Sequence, residues 1–311
     1  MMYVLLFLLI VIALCILREH RNVAIIIYMC IFSLLASLSF FIFGSPDVAM
    51  AEAAIGAFTT IFFVICFEKY EDLKIEALDK GRGRFKRVRK LKNYILPLGF
   101  TAFLFGLFLF FMPVGELNVY LKEQYLALFR DDVGGTNAVT SIYLGYRVYD
   151  TLFEALVLIV SVIAVSHVSY SSDMEAKDGK HSEVERSVVV NAVMHIIPPV
   201  VLLFGIYLIA NGHLTAGGGF QGGLFIAAFF VCRYLIYDVY DLPIAKLFRM
   251  EEFIFSFAVL LVIFVIFLGT FAFLPPIFRY IYLISMNLLI GMKVGCGFIL
   301  LFHRFIAIER R

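Results

Sequence analysis

Two pairs of carboxylates stand at the start of long apolar runs. Asp47 and Glu52 fall in Ser45-Pro46-Asp47-Val48-Ala49-Met50-Ala51-Glu52, which leads into a hydrophobic stretch ending at Phe67. Asp150 and Glu154 follow Arg147 at spacings of three and four. Lys293 adds a cation near the middle of the last apolar run, amid Asn287, Gly291, Gly295 and Gly297. Charge inside hydrocarbon is costly enough that such a residue has a partner or a task. The chemistry open to this set is ion handling. Carboxylates can hold a cation or trade a proton, and a basic group can set the charge beside them.

Each residue also has a structural reading. Ser45 at the N-cap, Pro46 at the first helical position and an acid in the first turn form a helix start, so Asp47 is either a dipole partner or a transport group. Glu52 is flanked by Ala49, Ala51, Ala53, Ala54, Gly56 and Ala57. These small side chains let another helix approach, so Glu52 is expected to face protein or a wet cavity. Its role is ion or proton movement, or else a buried hydrogen bond. Arg147, Asp150 and Glu154 stack on one helix face. Arg147 pairs most simply with Asp150, which leaves Glu154 as a buried carboxylate with no cation. Lys293 is too deep to snorkel and requires an acid: Glu52, Glu154 or a carboxylate of another chain. It serves as a counter-charge in the path or as an anchor.

The segment Asn211-Gly212-His213-Leu214-Thr215-Ala216-Gly217-Gly218-Gly219-Phe220-Gln221-Gly222-Gly223 has five glycines in its last seven residues. Two readings stay open. Gly218/Gly222 and Gly219/Gly223 fit small-residue helix packing. Alternatively, Gly217, Gly218, Gly219, Gly222 and Gly223 mark an unwound helix start whose free N–H and C=O groups meet ions or water. With no strand before it and no Lys-Ser/Thr after it, the segment is not a phosphate loop. His213 within it is a possible relay. His195, just before the helix-loosening Pro198-Pro199, could also relay protons, although a satisfied buried histidine is the plainer reading.

The elements that position these residues are membrane helices. The chain is 62% hydrophobic and 16% charged with mean hydropathy +0.96, against roughly 25% charged in soluble domains. Runs of spanning length fall at 2–17, 23–43, 47–67, 94–112, 146–168, 188–210, 218–236, 252–273 and 280–302. This predicts an all-α polytopic protein of about nine transmembrane helices, the fifth starting as early as Thr136, with the first run kept as a helix. Of 26 Lys and Arg, 21 fall in alternate connections. The excess places the N-terminus outside and the C-terminus in the cytoplasm. The basic run Lys80 to Lys90 and the polar run Ser169 to Glu185 look like cytoplasmic joints. The expected modules are therefore three helices over 1–79, a basic linker over 80–93, two helices over 94–168, a polar linker over 169–187 and four helices over 188–311. The basic run reads as an orientation signal against anionic headgroups or as a docking strip. The net charge of +2 gives no reason to expect nucleic acid as a partner. The five cysteines are scattered singly, so no metal or cluster site is expected. With no nucleophile set or nucleotide loop, an enzyme is not expected either.

With these residues in hand, the chain resembles a fusion of modules from Mrp-type multisubunit cation/proton antiporters and the related membrane-bound hydrogenases. Ser45-Pro46-Asp47-Val48-Ala49 with Glu52-Ala53-Ala54-Ile55-Gly56 resembles the three-helix module near the end of the large A subunit, a separate small protein in the hydrogenases. Gly135-Thr136-Asn137-Ala138-Val139, then Arg147, Asp150-Thr151 and Glu154, is similar to the segment that follows there. Gly212-His213, Gly217 to Gly223 and Asn287 to Gly295 resemble the B subunit, with Ala216 where that family usually has Pro. The resemblance implies a multi-pass subunit of a sodium/proton-translocating complex in the cell membrane, without a cofactor of its own, beside other membrane subunits and lipid. Sodium and protons would be its cargo. Asp47, Glu52, Asp150 and Glu154 would line the path. The alternative is a structural subunit joining antiporter-like and redox parts of a hydrogenase-type complex.

The charge asymmetry gives the first prediction. In sealed membranes, a cysteine replacing Lys86 should label only from the cytoplasm and one replacing Glu123 only from outside. Same-side labelling would rule out the nine-span order.

Overall fold

The computed structural model describes residues 2–77, 98–107, 109–110, 120–170, 188–236, 243–268 and 274–309. Among them there is helix and no strand. In chain order the elements are α1 (Met2–Arg18), α2 (Asn22–Ile42), α3 (Pro46–Ala77), α4 (Leu98–Leu107), α5 (Tyr120–Val133), the single turn α6 (Ala138–Ser141) running into a π-helical segment (Ile142–Tyr146), α7 (Val148–Tyr170), α8 (Val188–Asn211), α9 (Gly219–Ile236), α10 (Ile244–Phe267) and α11 (Pro276–Glu309). The joints at 80–90 and 169–185 fall almost wholly outside the described residues, Ser169 and Tyr170 closing α7.

Five described helices are long and apolar enough to cross a membrane: Asn22–Ile42, Pro46–Val64, Val148–His167, Ile244–Phe267 and Pro276–Phe305. Four shorter apolar helices accompany them, at Tyr3–Arg18, Leu98–Leu107, His195–Asn211 and Gly219–Arg233. The chain is a multi-pass, all-helical membrane protein. It forms two compact units, residues 1–70 with 128–311, and residues 71–127. The second holds α4, whose Leu98, Phe100 and Phe103 are exposed.

Local sequence explains the helix boundaries. Gly44, at φ 75°, closes α2 and lets Pro46 open α3, with the Ser45 carbonyl accepting Ala49 N–H at 3.0 Å. The expected run from 146 is cut at Arg147, and its upstream part is the π segment, a form that often marks functional positions. α10 begins at Ile244, eight residues before the apolar run from 252, and so brings Glu251 into the helix. Pro198 and Pro199 are both accommodated within the continuous span of α8.

In the larger unit α11 is the axis. Of its spanning window 67% is buried inside the protein, against 17–28% for the other long spans. One cluster joins α3 (Ala54, Phe58), α7 (Leu158, Val162), α9 and α11. Another joins Leu144 and Val148 to Val262, Leu283 and Met286. The glycines make α9 and α11 cross at backbone distance. A Cβ on Gly219 would lie 2.5 Å from the Asn287 carbonyl, and one on Gly223 2.5 Å from the Gly291 carbonyl. The small-residue pair expected from the sequence is thus in use at Gly219 and Gly223.

This crossing predicts that Gly223→Val destabilises the purified protein by about 1–3 kcal/mol through overpacking, whereas Gly99→Ala, with nothing within 4 Å of the new carbon, leaves its melting temperature unchanged.

Candidate functional site

The predicted acids occupy three separate places. Asp47 is buried and lies in a hydrogen-bonded knot. Its Oδ1 accepts from Asn137 Nδ2 at 2.8 Å and from Gly217 N–H at 3.1 Å. The Asn137 amide also donates to the carbonyls of Gly212 at 3.1 Å and Thr215 at 2.8 Å, and its Oδ1 caps α6 through Val139 N–H at 2.9 Å. Thr140 Oγ1 donates to Gly212 O at 2.7 Å, and the Thr136 and Asn137 N–H groups donate to His213 O. Tyr143 Oη then donates to Asn287 Oδ1 at 3.3 Å, which also accepts Gly219 N–H at 3.1 Å. Residues 212–218 are non-helical and α9 starts at Gly219. The glycine segment is unwound before Gly219 and packed after it, and the backbone groups of Gly212, Thr215 and Gly217 are taken by Asn137, Thr140 and Asp47. Gly217 takes φ 135°, a conformation other residues rarely adopt.

His213 is buried in this knot with its ring edge-on to Tyr280 at 4.6 Å, and neither ring nitrogen makes a well-formed hydrogen bond. Burial pushes its imidazole below the ordinary value, while the Ala210 carbonyl draws it partly back, so the ring is held neutral near pH 7. Ser141 Oγ and Asn287 Nδ2 are likewise buried without partners.

Glu52 is half-buried. Ser33 Oγ donates to its Oε1 at 2.8 Å and lies 3.1 Å from its carbonyl. The carboxylate borders a groove of ≈ 480 Å³ between α1, α2 and α3, lined by Ala13, Met29, Phe32, Ile55, Gly56 and Phe63 among others. It thus faces Ser33 on one side and an open, largely apolar groove on the other.

Arg147 and Asp150 form the expected ion pair, with Nε donating to Oδ2 at 2.6 Å, but the side chains are 62% and 50% exposed. Glu154 is exposed as well, and this corrects the expectation of a buried acid. It lies seven residues into α7, about 9 Å from the helix start, between the exposed Phe153 and the exposed Leu156 and Val157. His195 is also exposed, not buried.

Lys293 does not meet Glu52 or Glu154. Its Nζ lies 3.3 Å from Glu251 Oε1, with side chains 1% and 3% exposed, and it donates to the Ala155 carbonyl at 2.6 Å. Glu251 escapes a reading of the sequence because Arg249-Met250-Glu251-Glu252 looks like the polar flank of a cytoplasmic loop. The signal that could have found it is the need of Lys293 for an acid. Among the described residues no group of three His, Cys, Asp or Glu could hold a metal.

The fold and site are those of a membrane helix bundle with carboxylates at helix starts, a broken glycine helix and a buried ammonium. Residues 189–309 match the family described as a domain related to the MnhB subunit of Na+/H+ antiporter, and residues 7–72 match the family of the MBH D subunit, MbhD. The chain is thus similar to a Na+/H+ antiporter subunit domain over 189–309 and to MbhD over 7–72. It is 25% identical over 149 residues to the A subunit of the Na(+)/H(+) antiporter of Bacillus subtilis, an alignment covering 46% of this chain and 17% of that protein. Its fold is similar to a chain in the Mrp complex from Dietzia sp. DQ12-45-1b, with TM-score 0.68 and 19% identity over 95% of this chain and 34% of the other. A chain of the membrane-bound sulfane sulfur reductase, an archaeal respiratory membrane complex, is 26% identical with TM-score 0.53, covering 69% of this chain and 97% of that one.

The knot gives a third prediction. Asp47→Asn keeps an oxygen that accepts from Asn137 and Gly217, whereas Asp47→Ala strands the buried Gly217 N–H at about 1–3 kcal/mol and removes one of the three acceptors of the Asn137 amide. Thermal unfolding of the purified protein should show a clearly larger loss for Asp47→Ala. Equal losses would mean that charge, and not hydrogen-bond geometry, holds the knot.

Proposed function

We propose that this chain is a membrane subunit of a multisubunit sodium/proton antiporter or related ion-translocating module in the cytoplasmic membrane. In this reading it has nine spans, an external N-terminus and a cytoplasmic C-terminus, and contributes part of a cation and proton path. The observation that carries the reading is Glu154, an acid set about 9 Å into a spanning helix on its exposed, apolar side. A carboxylate there is tolerable only if another protein of the complex covers it and if it holds a cation or a proton. Glu52, half-open to its groove, is the second path group. Asp47 and the neutral His213 border the external entrance, Asp150 and Arg147 form a neutral pair at the mouth of α7, and His195 is a relay on the outer face of α8. The likeness to the A subunit of a Na(+)/H(+) antiporter supports sodium and protons as cargo.

A second reading is favoured by one observation: the match of residues 7–72 to the MbhD family, with the likeness to the sulfane sulfur reductase chain. In it the chain is a structural element bridging an antiporter-like part to a redox part.

Glu→Gln keeps shape and hydrogen bonding but removes the ionisable oxygen, so it separates the two. In membrane vesicles holding the assembled complex, Glu52→Gln and Glu154→Gln should each lower sodium-dependent proton flux on the order of tenfold or more. Normal flux in both assembled variants would leave the structural reading standing.

A further inference from the structure

The groove beside Glu52 combines a carboxylate with walls that offer it almost nothing. Ala13 and Ile16 of α1, Ile26 and Met29 of α2, and Ile55 and Phe63 of α3 are among its lining residues. Glu52 and Phe63, which both border it, are separated by about 16 Å of helix rise. The groove is therefore long as well as apolar. Its hydroxyl groups are already committed. Thr59 and Thr60 donate to the Ile55 and Gly56 carbonyls of their own helix at 2.8 Å and 2.6 Å. Ser33 donates to Glu52 Oε1 at 2.8 Å, in space left free by Gly56, where a Cβ would overlap the Ser33 hydroxyl. That hydroxyl is the carboxylate's one side-chain donor among the described residues, and no lysine, arginine or histidine there forms an ion pair with it. A carboxylate has room for about four donors. Beside apolar walls in a membrane it calls for a counter-charge.

We propose that this groove is a binding site for an amphipathic primary amine, an organic cation with an apolar tail. The ammonium supplies the missing donors and the counter-charge at Glu52. The tail lies along the apolar walls toward Phe63. A bare metal ion would answer the charge and leave most of the ≈ 480 Å³ unused. A lipid acyl chain would fill the space and leave the charge unanswered. A molecule with both parts satisfies the whole groove, whose volume falls in the range of small-molecule sites, about 300–1,000 Å³. The inference stands whether or not Glu52 moves ions, because it needs only the carboxylate and the walls beside it.

The test uses the full chain in phosphatidylcholine nanodiscs and radiolabelled dodecylamine, counted above protein-free discs. Binding should show a saturable component that unlabelled dodecylamine displaces. Dodecanol has the same tail without the charge, and should displace it more weakly on the order of tenfold or more. Glu52→Gln removes the charge and keeps the shape, and should weaken dodecylamine binding by a similar factor. Ala13→Phe fills the groove and keeps the carboxylate, and should weaken binding as much. Equal displacement by dodecanol would reveal an apolar slot in which the charge plays no part. Unchanged affinity in folded Glu52→Gln or Ala13→Phe would put the amine somewhere else. No saturable component would mean that bilayer lipid keeps the groove. Each of these three results overturns the proposal. Where a variant does not fold, the comparison of dodecylamine with dodecanol on the parent chain decides, since it needs no substitution. Saturable amine binding at Glu52 together with normal proton flux in Glu52→Gln would leave this site standing and defeat only the transport reading of Glu52.

Discussion

A primary amide offers two N–H donors and one carbonyl, and at Asn137 every one of them joins a different stretch of chain. Its nitrogen bonds the Asp47 carboxylate and the Gly212 and Thr215 carbonyls, and its oxygen caps α6. Asn137 belongs to neither matched stretch, since one ends at residue 72 and the other begins at 189. Yet the groups it binds come from both. The knot therefore sets where the start of α3 lies against the broken loop before α9. From there the hydrogen-bonded chain passes through Thr140 and Tyr143 to Asn287 on α11. Such a network is strong in a low-dielectric setting only when complete, because each stranded group then costs its full desolvation.

From Asn287, α11 leads inward. Six residues on, about 9 Å of helix rise, it presents Lys293, and between the two lie Ile290 and the glycine that meets α9. The glycines at 219, 223 and 291 remove side chains where two backbones must touch, and Gly297 removes one where the Glu251 carboxylate must sit. Close packing and charge placement are thus the same design: α11 can hold an ammonium in the core because its small faces let α9, α7 and α10 close around it and exclude lipid.

The charged positions are plain in the sequence, while their surroundings are obscure. Asp47, Glu52, Glu154 and Lys293 stand out because apolar runs contain almost nothing else that is charged. The helix starts at Pro46 and Gly219 are legible from Pro and Gly chemistry. What cannot be read is which face of a helix looks inward. In soluble proteins the polar side points to water, but a membrane helix is apolar toward lipid and core alike, so α7 gives no sign that Glu154 is exposed while Ala155 is buried. Glu251 is hidden for the opposite reason: its polar neighbours make it look like loop. Asn137 stands out only as part of a motif, since nothing in sequence marks one loop asparagine as the joint between modules.

These two failures of legibility have a common physical origin, and it bears on mechanism. A charge in a bilayer protein can be neutralised from within the chain or from another chain. Lys293 takes the first course, with an acid 42 residues away in sequence and 3.3 Å away in space. Glu154 has no such partner within the chain's described residues and is left on the surface of α7. One turn of α7 therefore carries both a carbonyl tied to the internally neutralised Lys293 and an exposed carboxylate. In the proposed reading, ion handling draws on both faces of α7 and not on any single carboxylate along the sequence.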